Sequence, residues 1–379
     1  MDQTYSWHPG SSVVTPKWGI PVSLFADEGL SSFLLRLSHA YGLESIALGE
    51  ILWPKQRVWT IDTDRMERAE LVVLSQATGI ALELLYQTSL RWFELKTSNR
   101  KSKQRQGTVI PWILALGCKN RQREGGYSFC PCCWSEDSAP YLRLQWRFAW
   151  HTVCPKHRSL LADRCSQCQA PVIPHLHSAD TKDMSRCSSC SFNLKEVLTE
   201  PCSQDSLDIQ KLIDTAVEQG HVDLQDGRWS AAELLGYLSF WESFSRRAIR
   251  YVAPTLRLVF DSLHIKLPEI SEDSKGLKFE KLAVAERYTL LVGILCFLRT
   301  APDDLYACLL DCEITRQAFV GDSKVIPPNI ESIALKLADN KRSFRSSPCH
   351  SEWKPTPKYL VQRKLTELLK AYKKRKNVR

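Results

Sequence analysis

The chain lacks the motifs by which most nucleotide-using and hydrolytic enzymes announce themselves. There is no G-x-x-x-x-G-K-[ST] cradle for phosphates, no Rossmann glycine fingerprint, no G-x-S-x-G elbow and no H-E-x-x-H pair. Asp303-Asp304 and Asp311/Glu313 come closest to an acidic metal-binding set, and their spacing predicts helix-cap and solvent-facing residues instead. No catalytic residue and no organic cofactor site is expected. Long hydrophobic runs are missing too. The longest, Leu290 to Leu298, is bounded by Arg287 and Arg299, is too short for a bilayer, and predicts a buried helix. Residues 1–10 show no basic stretch leading into an apolar core, so a secretory leader is not expected. No repeat of fixed period and no long low-complexity tract occurs.

Composition is that of an ordinary globular protein: 379 residues, 44% hydrophobic and 25% charged. That length suggests two or three domains. The net charge of +9 is unevenly spread. Residues 91–123 hold nine Lys/Arg against the single Glu94, and residues 358–379 hold nine against Glu367. Two basic stretches on a nearly balanced chain point to a polyanionic partner, nucleic acid first. Arg91, Arg100, Lys101, Lys103 and Arg105 are the candidate backbone contacts. The competing reading is a solvated face and a frayed tail. The fourteen cysteines, in a protein expected to be cytoplasmic with reduced thiols, argue for metal rather than disulfides.

Eight potential ligands fall in four pairs. Cys130-x-x-Cys133 is followed after twenty residues by Cys154-x-x-His157; Cys165-x-x-Cys168 is followed after eighteen by Cys187-x-x-Cys190. A tight turn presents each pair to one tetrahedral ion, which is the spacing of structural zinc sites. Two zinc ions are expected, each with four protein ligands and no open position, hence structural. Shorter loops favour a sequential arrangement; an interleaved one, pairing Cys130/Cys133 with Cys165/Cys168, stays open. Cys118, Cys132, Cys202, Cys296, Cys308, Cys312 and Cys349 fall outside the pattern and read as small buried hydrophobes. His151, His175 and His177 are left out of the ligand sets.

The expected fold is mainly α. Helices are predicted over 28–41 (capped by Asp27, closed by Gly42), 44–52, 62–77 (capped by Asp62 or Thr63) and 81–90. The stretch from Leu74 through Gly79 to Leu85 has a helix-turn-helix profile, common also among helical hairpins with no DNA role. Tyr141, Arg143, Trp146, Arg147, Phe148 and Trp150 offer a stacking or phosphate-contacting surface in one reading, and the cover of a thin zinc-module core in the other. The core reading is preferred for the tryptophans. Downstream, Ser230-Ala-Ala-Glu233 is a capping box opening a helix to about Arg250. Helices are further predicted over 282–299, 302–310, 314–319, 328–339 and, as a basic amphipathic segment, 360–374. The domain organisation expected is 1–125 (helix-turn-helix-like), 126–202 (double zinc module) and 203–379 (helical, with a basic tail).

The zinc region resembles a known family. Phe129-Cys-Pro-Cys-Cys133, Tyr141-Leu-Arg-Leu-Gln-Trp-Arg147, Cys154-Pro-Lys-His157, Leu160-Leu161 and Cys165-Ser-Gln-Cys168 are similar to the TniQ/TnsD transposon target-selection proteins. So are Asp27-Glu-Gly-Leu-Ser-Ser-Phe-Leu-Leu-Arg-Leu37 with Tyr41-Gly42, and Thr78-Gly79 with Leu84-Leu85. The likeness spans about residues 19 to 200. Ser166 stands where the family often has proline. The resemblance implies a non-enzymatic adaptor that recognises a target and recruits the transposon's ATPase regulator (TniB/TnsC-like), which brings the transposase. It implies target DNA or a CRISPR Cascade-type ribonucleoprotein as the recognition partner, a capacity to form homodimers, no membrane, and a cytoplasmic, nucleoid-associated place in a bacterium. A sequence-specific DNA-binding regulator and a protein-interaction scaffold, both outside transposition, are the rival readings.

Overall fold

The computed structural model describes residues 18–59, 62–97, 110–116, 126–181, 183–224, 227–250, 255–323 and 326–339, together with Leu365. Backbone contacts group the chain into residues 1–338 and residues 339–379. Of the second unit only Asp339 and Leu365 are described, so the expected 360–374 helix lies outside the described residues apart from Leu365.

Thirteen α-helices occur among the described residues, with two short antiparallel hairpins as the strand content. The protein is mainly helical, as its periodicity predicts. No helix among the described residues is long and apolar enough to cross a membrane. The N-terminal layer comprises α1 (Leu30–Ala40), α2 (Ser45–Leu52), α3 (Arg68–Thr78), α4 (Leu82–Gln87) and α5 (Arg91–Thr97). Leu30, Phe33, Leu34 and Leu37 of α1, spaced for one helical face, meet Leu48, Leu52, Leu71, Leu74 and Leu85 in a closed apolar cluster. Gly42, at φ +65°, ends α1 and turns the chain back.

Two caps differ from expectation. Asp27 does not cap α1; Gly29 occupies that position, and Asp27 accepts the Tyr141 hydroxyl at 2.7 Å. The predicted 62–77 helix breaks in two. Residues Thr63–Arg65 form a 3-10 turn, and α3 starts only at Arg68, closed by a reciprocal Glu67/Glu70 capping box. Asp62 and Asp64 are withdrawn from helix capping because both turn to Arg147.

Gly79, at φ +74°, separates α3 from α4. The second helix of this pair has six residues, carries Glu83, and contains no lysine or arginine.

The segment from 126 to 202 has little regular structure: α6 (Pro131–Glu136) and the hairpin of β1 (Val153–Cys154) with β2 (Ser159–Leu160). Then come α7 (Gln204–Gln219), the hairpin of β3 (His221–Leu224) with β4 (Gly227–Ser230), α8 (Ala231–Ile249), α9 (Thr255–Ser262), α10 (Val284–Arg299), α11 (Pro302–Asp311), α12 (Arg316–Val320) and α13 (Pro328–Lys336). The Ser230/Glu233 capping box forms as read, and the long apolar run lies inside α10. The β3–β4 hairpin has no counterpart in the sequence reading: its four-residue strands are too short for an alternation to stand out.

The main core joins segments far apart in sequence. Leu90, Phe93, Trp112, Phe148 and Trp150 share one apolar cluster with residues of α7 to α13. Trp150 stacks on Phe148 with centroids 4.4 Å apart, and Trp241 stacks on Phe297 at 4.0 Å. Trp134 and Trp146 belong to a second cluster with the cysteines. Trp146, Phe148 and Trp150 are therefore core, and the surface reading fails for them and for Arg147, all buried, while Tyr141 and Arg143 are half-buried. Among the unpaired cysteines, Cys308 and Cys312 are buried as read, Cys202 and Cys296 are half-buried, and Cys132 is exposed. Its neighbours Pro131 and Cys133 take the inward face of α6, leaving Cys132 outside. Cys118 and Cys349 lie outside the described residues.

Candidate metal centre

Three of the four ligand pairs share one backbone device. In Cys154-x-x-His157, Cys165-x-x-Cys168 and Cys187-x-x-Cys190 the residue after the second ligand is left-handed: Arg158 (φ +50°), Gln169 (+61°) and Ser191 (+61°). Each donates its N–H back to the carbonyl of the first ligand, at 2.8, 2.9 and 2.9 Å. The turn thereby curls both donor side chains to one side. The first pair is built differently. Cys130 is the N-cap of α6 and Pro131 its first residue, where proline's fixed φ suits a helix start. The Cys133 N–H donates to the Cys130 sulfur at 3.4 Å.

The pairs assemble sequentially. Cys130, Cys133, Cys154 and His157 form one cluster, and Cys165, Cys168, Cys187 and Cys190 the other. Within each, the donor atoms lie within 4.8 Å of one another. In the first, His157 Nδ1 sits 3.4 Å from the sulfurs of Cys130, Cys133 and Cys154, and Cys133 and Cys154 are 3.6 Å apart. In the second, Cys165–Cys190 is 3.6 Å and Cys168–Cys187 is 3.5 Å. A disulfide needs about 2.05 Å. The edge of a tetrahedron of thiolates around an ion at about 2.3 Å is roughly 3.7 Å. The spacing fits ligands around an ion and not a sulfur–sulfur bond.

Electrostatics agree. Hydrogen bonding to Cys130 and Cys154, together with burial, pushes the Cys133 thiol well above its ordinary range. Hydrogen bonds from Cys130 and Cys133 hold Cys154 well below its own. One thiolate among protonated neighbours is the most such a crowd sustains alone; a dication lets the rest ionise. Around the first cluster, His157 Nε2 meets Glu136 at 2.9 Å, the outer carboxylate that orients a ligating imidazole. Lys156 and His157 in turn hold the Glu136 carboxyl below its usual value. Glu136 went unread in the sequence, although its position three residues after Cys133 on a short helix was the available signal.

Buried arginines tie this region to both flanks. Arg147, wholly buried, pairs with Asp62 (2.5 Å) and Asp64, and its guanidinium also donates to the Leu114 carbonyl. Tyr127 donates its hydroxyl to Asp64 at 2.6 Å, and Ser31 N–H donates to the same carboxylate at 2.6 Å. Burial raises the Asp64 pKa against the pull of Arg147. From the other side, Arg287 of α10 donates to the carbonyls of Leu282 and Ala149 and to Ser128 Oγ. With no carboxylate in hydrogen-bond contact among the described residues, burial pushes Arg287 down to about 10.

The histidines left out of the ligand sets have other places. His151 Nε2 meets Asp214 at 2.8 Å, His175 packs on Trp59, and His177 is buried. Of the candidate nucleic-acid contacts, Arg91 is engaged by Glu67 (2.8 Å) and Glu94 (2.9 Å). Arg100, Lys101, Lys103 and Arg105 lie outside the described residues.

This is a mainly helical protein with two four-donor Cys/His clusters, each of which could hold a metal ion. Comparison adds a family likeness: residues 20–161 match the model of the TniQ family. The match takes in α1 to α6 and the first cluster. It ends at Leu161, short of the second cluster and of α7 to α13. No curated protein matches the chain.

Proposed function

We propose that the protein is a non-enzymatic target-site selection adaptor of DNA transposition, its two clusters each holding a structural zinc ion. The TniQ match over residues 20–161 carries this reading. Transposition-associated adaptors are the general business of that family. On this reading Cys130, Cys133, Cys154 and His157 hold one zinc, and Cys165, Cys168, Cys187 and Cys190 the other. The chain works as three modules, 1–125, 126–202 and 203–379, with the zinc module as the stiff element between helical parts. Its partners are the transposon's TniB/TnsC-like ATPase regulator and, on the target side, DNA or a Cascade-type ribonucleoprotein, with the adaptor free to work as a homodimer in the bacterial cytoplasm. The basic run Arg100, Lys101, Lys103 and Arg105 contacts nucleic-acid backbone, while Arg91 is held by Glu67 and Glu94.

The decisive experiment is co-purification of the full chain with the ATPase encoded beside it, followed by reconstituted transposition with and without the adaptor. Directed insertion that needs the adaptor supports the reading. Insertion at the same site in its absence removes it. A DNA-binding regulator outside transposition would instead bind one defined duplex alone, with no ATPase retained.

A further inference from the structure

Beside the C-terminal end of α8 lies a cavity of about 440 Å³, walled by that helix, by Pro111–Trp112 and by residues 276–280. Arg246 and Arg247 of the last turn of α8 and Arg250 at its C-cap line it, with Lys278 also in the lining. Two carboxylates share the lining, and both are committed. Glu242 accepts from Arg246 at 3.0 Å, and Glu280 accepts the Trp112 backbone N–H at 2.9 Å. Arg247, Arg250 and Lys278 have no carboxylate in hydrogen-bond contact among the described residues.

The arginines have structural duties that use only part of their capacity. Arg246 and Arg250 donate through Nη2 to the carbonyl of Lys275, and Arg246 also to that of Leu277. Arg247 donates its two terminal nitrogens to the carbonyls of Ala318 (2.6 Å) and Phe319 (2.7 Å). Carbonyls satisfy donors without cancelling charge. Among the described residues, exposed Arg250 keeps Nε and Nη1 free of a partner, whereas Arg247 has its terminal nitrogens on carbonyls and its Nε buried. The wall is strained as well: Trp112 sits at φ +68°, a conformation costly for a residue with a side chain and common where a ligand is held.

We infer that this cavity binds a phosphate group of a nucleic-acid backbone, with Arg250 and Lys278 as its cationic contacts. Fork-shaped guanidinium donors suit phosphate oxygens, and Lys278 adds a point charge. The space admits a phosphate with its sugar and no folded partner. The identity of the phosphate's bearer rests on the nucleic-acid part of the proposed function; the cavity's preference for an anion does not.

The test uses the full chain and a labelled oligonucleotide offered single-stranded and as duplex, with anisotropy followed across salt. Lys278→Glu touches a side chain that makes no bond among the described residues, so folding is not at risk. It should weaken binding about tenfold. Arg250→Gln with Lys278→Gln should lower the slope of log K against log salt by about 1.5, two contacts at roughly 0.7–0.9 each. Melting temperature and metal content should stay at wild-type values for Lys278→Glu. Wild-type affinity and slope in both variants would overturn the assignment while leaving the adaptor reading, judged by ATPase co-purification, untouched. In a second arm inorganic phosphate is titrated alone. If it raises the melting temperature of wild type but not of Lys278→Glu, while oligonucleotide affinity is equal in both, the cavity takes small phosphates and the nucleic-acid assignment falls.

Discussion

Arg147 and Asp64 form an ion pair in which both side chains are wholly withdrawn from solvent, although 83 positions separate them in sequence. The pair locks the loop between the first two ligand pairs to the 3-10 turn ahead of α3. Removing the guanidinium strands two carboxylates, one of them fully buried. Arg147→Ala should therefore destabilise the protein by about 3–5 kcal/mol. Urea denaturation reads this directly, and a loss under 1 kcal/mol would contradict the network's role. Asp64→Asn, which keeps the shape and some hydrogen bonds, should lose less.

Metal content separates the two clusters. Wild type should carry two equivalents, one per donor set. Cys130→Ser and Cys187→Ser should each retain one, because the sets share no ligand. Elemental analysis of purified variants decides it, and two metals in either variant would show the ligands to be misassigned. Glu136→Gln should keep both metals at saturation but weaken the first site by about 10- to 100-fold in chelator competition, since it orients His157 without binding the ion.

His177 makes stability depend on pH. Burial, reinforced by His39 and partly offset by Asp183, pushes its pKa down to about 4. The unfolded imidazole titrates near 6.5, so between about pH 6.5 and 4 the unfolded chain binds the proton first. Stability from this group is complete above about 6.5 and drains away as pH falls through that window. From pH 7 to pH 5 the loss is about 2 kcal/mol. His177→Leu should lack that component. Equal losses in variant and wild type, in urea unfolding at the two pH values, would assign the acid sensitivity elsewhere.

The knuckle turns hold non-glycine residues at positive φ. Ser191, whose side chain makes no hydrogen bond among the described residues, is the cleanest site to relieve this. Ser191→Gly should raise stability by about 1 kcal/mol and leave metal content unchanged. A destabilised variant would mean that the left-handed turn is not strained.

Neutralising Arg100, Lys101, Lys103 and Arg105 together should flatten the salt dependence of nucleic-acid binding by about 3, four contacts at roughly 0.7–0.9 each. An unchanged slope would take that run out of the interface.

Much of this protein was legible in its residues because the signals are local. The ligand pairs announce themselves by a two-residue gap; α8 by Ser230 and Glu233; α10 by an uninterrupted apolar run. Each depends on neighbours within a turn or two, which a single chain displays in order. Asp27 and Asp62 were misread for the complementary reason. Both sit where a cap belongs, and each is claimed instead by a distant partner, Tyr141 and Arg147 respectively.

By itself, then, the sequence determined the helical class, the eight donors, and a family likeness that the TniQ match bears out over residues 20–161. Tertiary structure alone decided how the donors divide between two clusters. It also decided that Tyr127, Arg147, Asp62 and Asp64 form one buried network, and that Phe148 and Trp150 serve the helical core rather than the surface. The physical reason is that charge pairing and apolar burial act through space. A residue's spacing along the chain says which face of a helix or turn it occupies. What that face meets depends on which other segment can best replace the water it gives up.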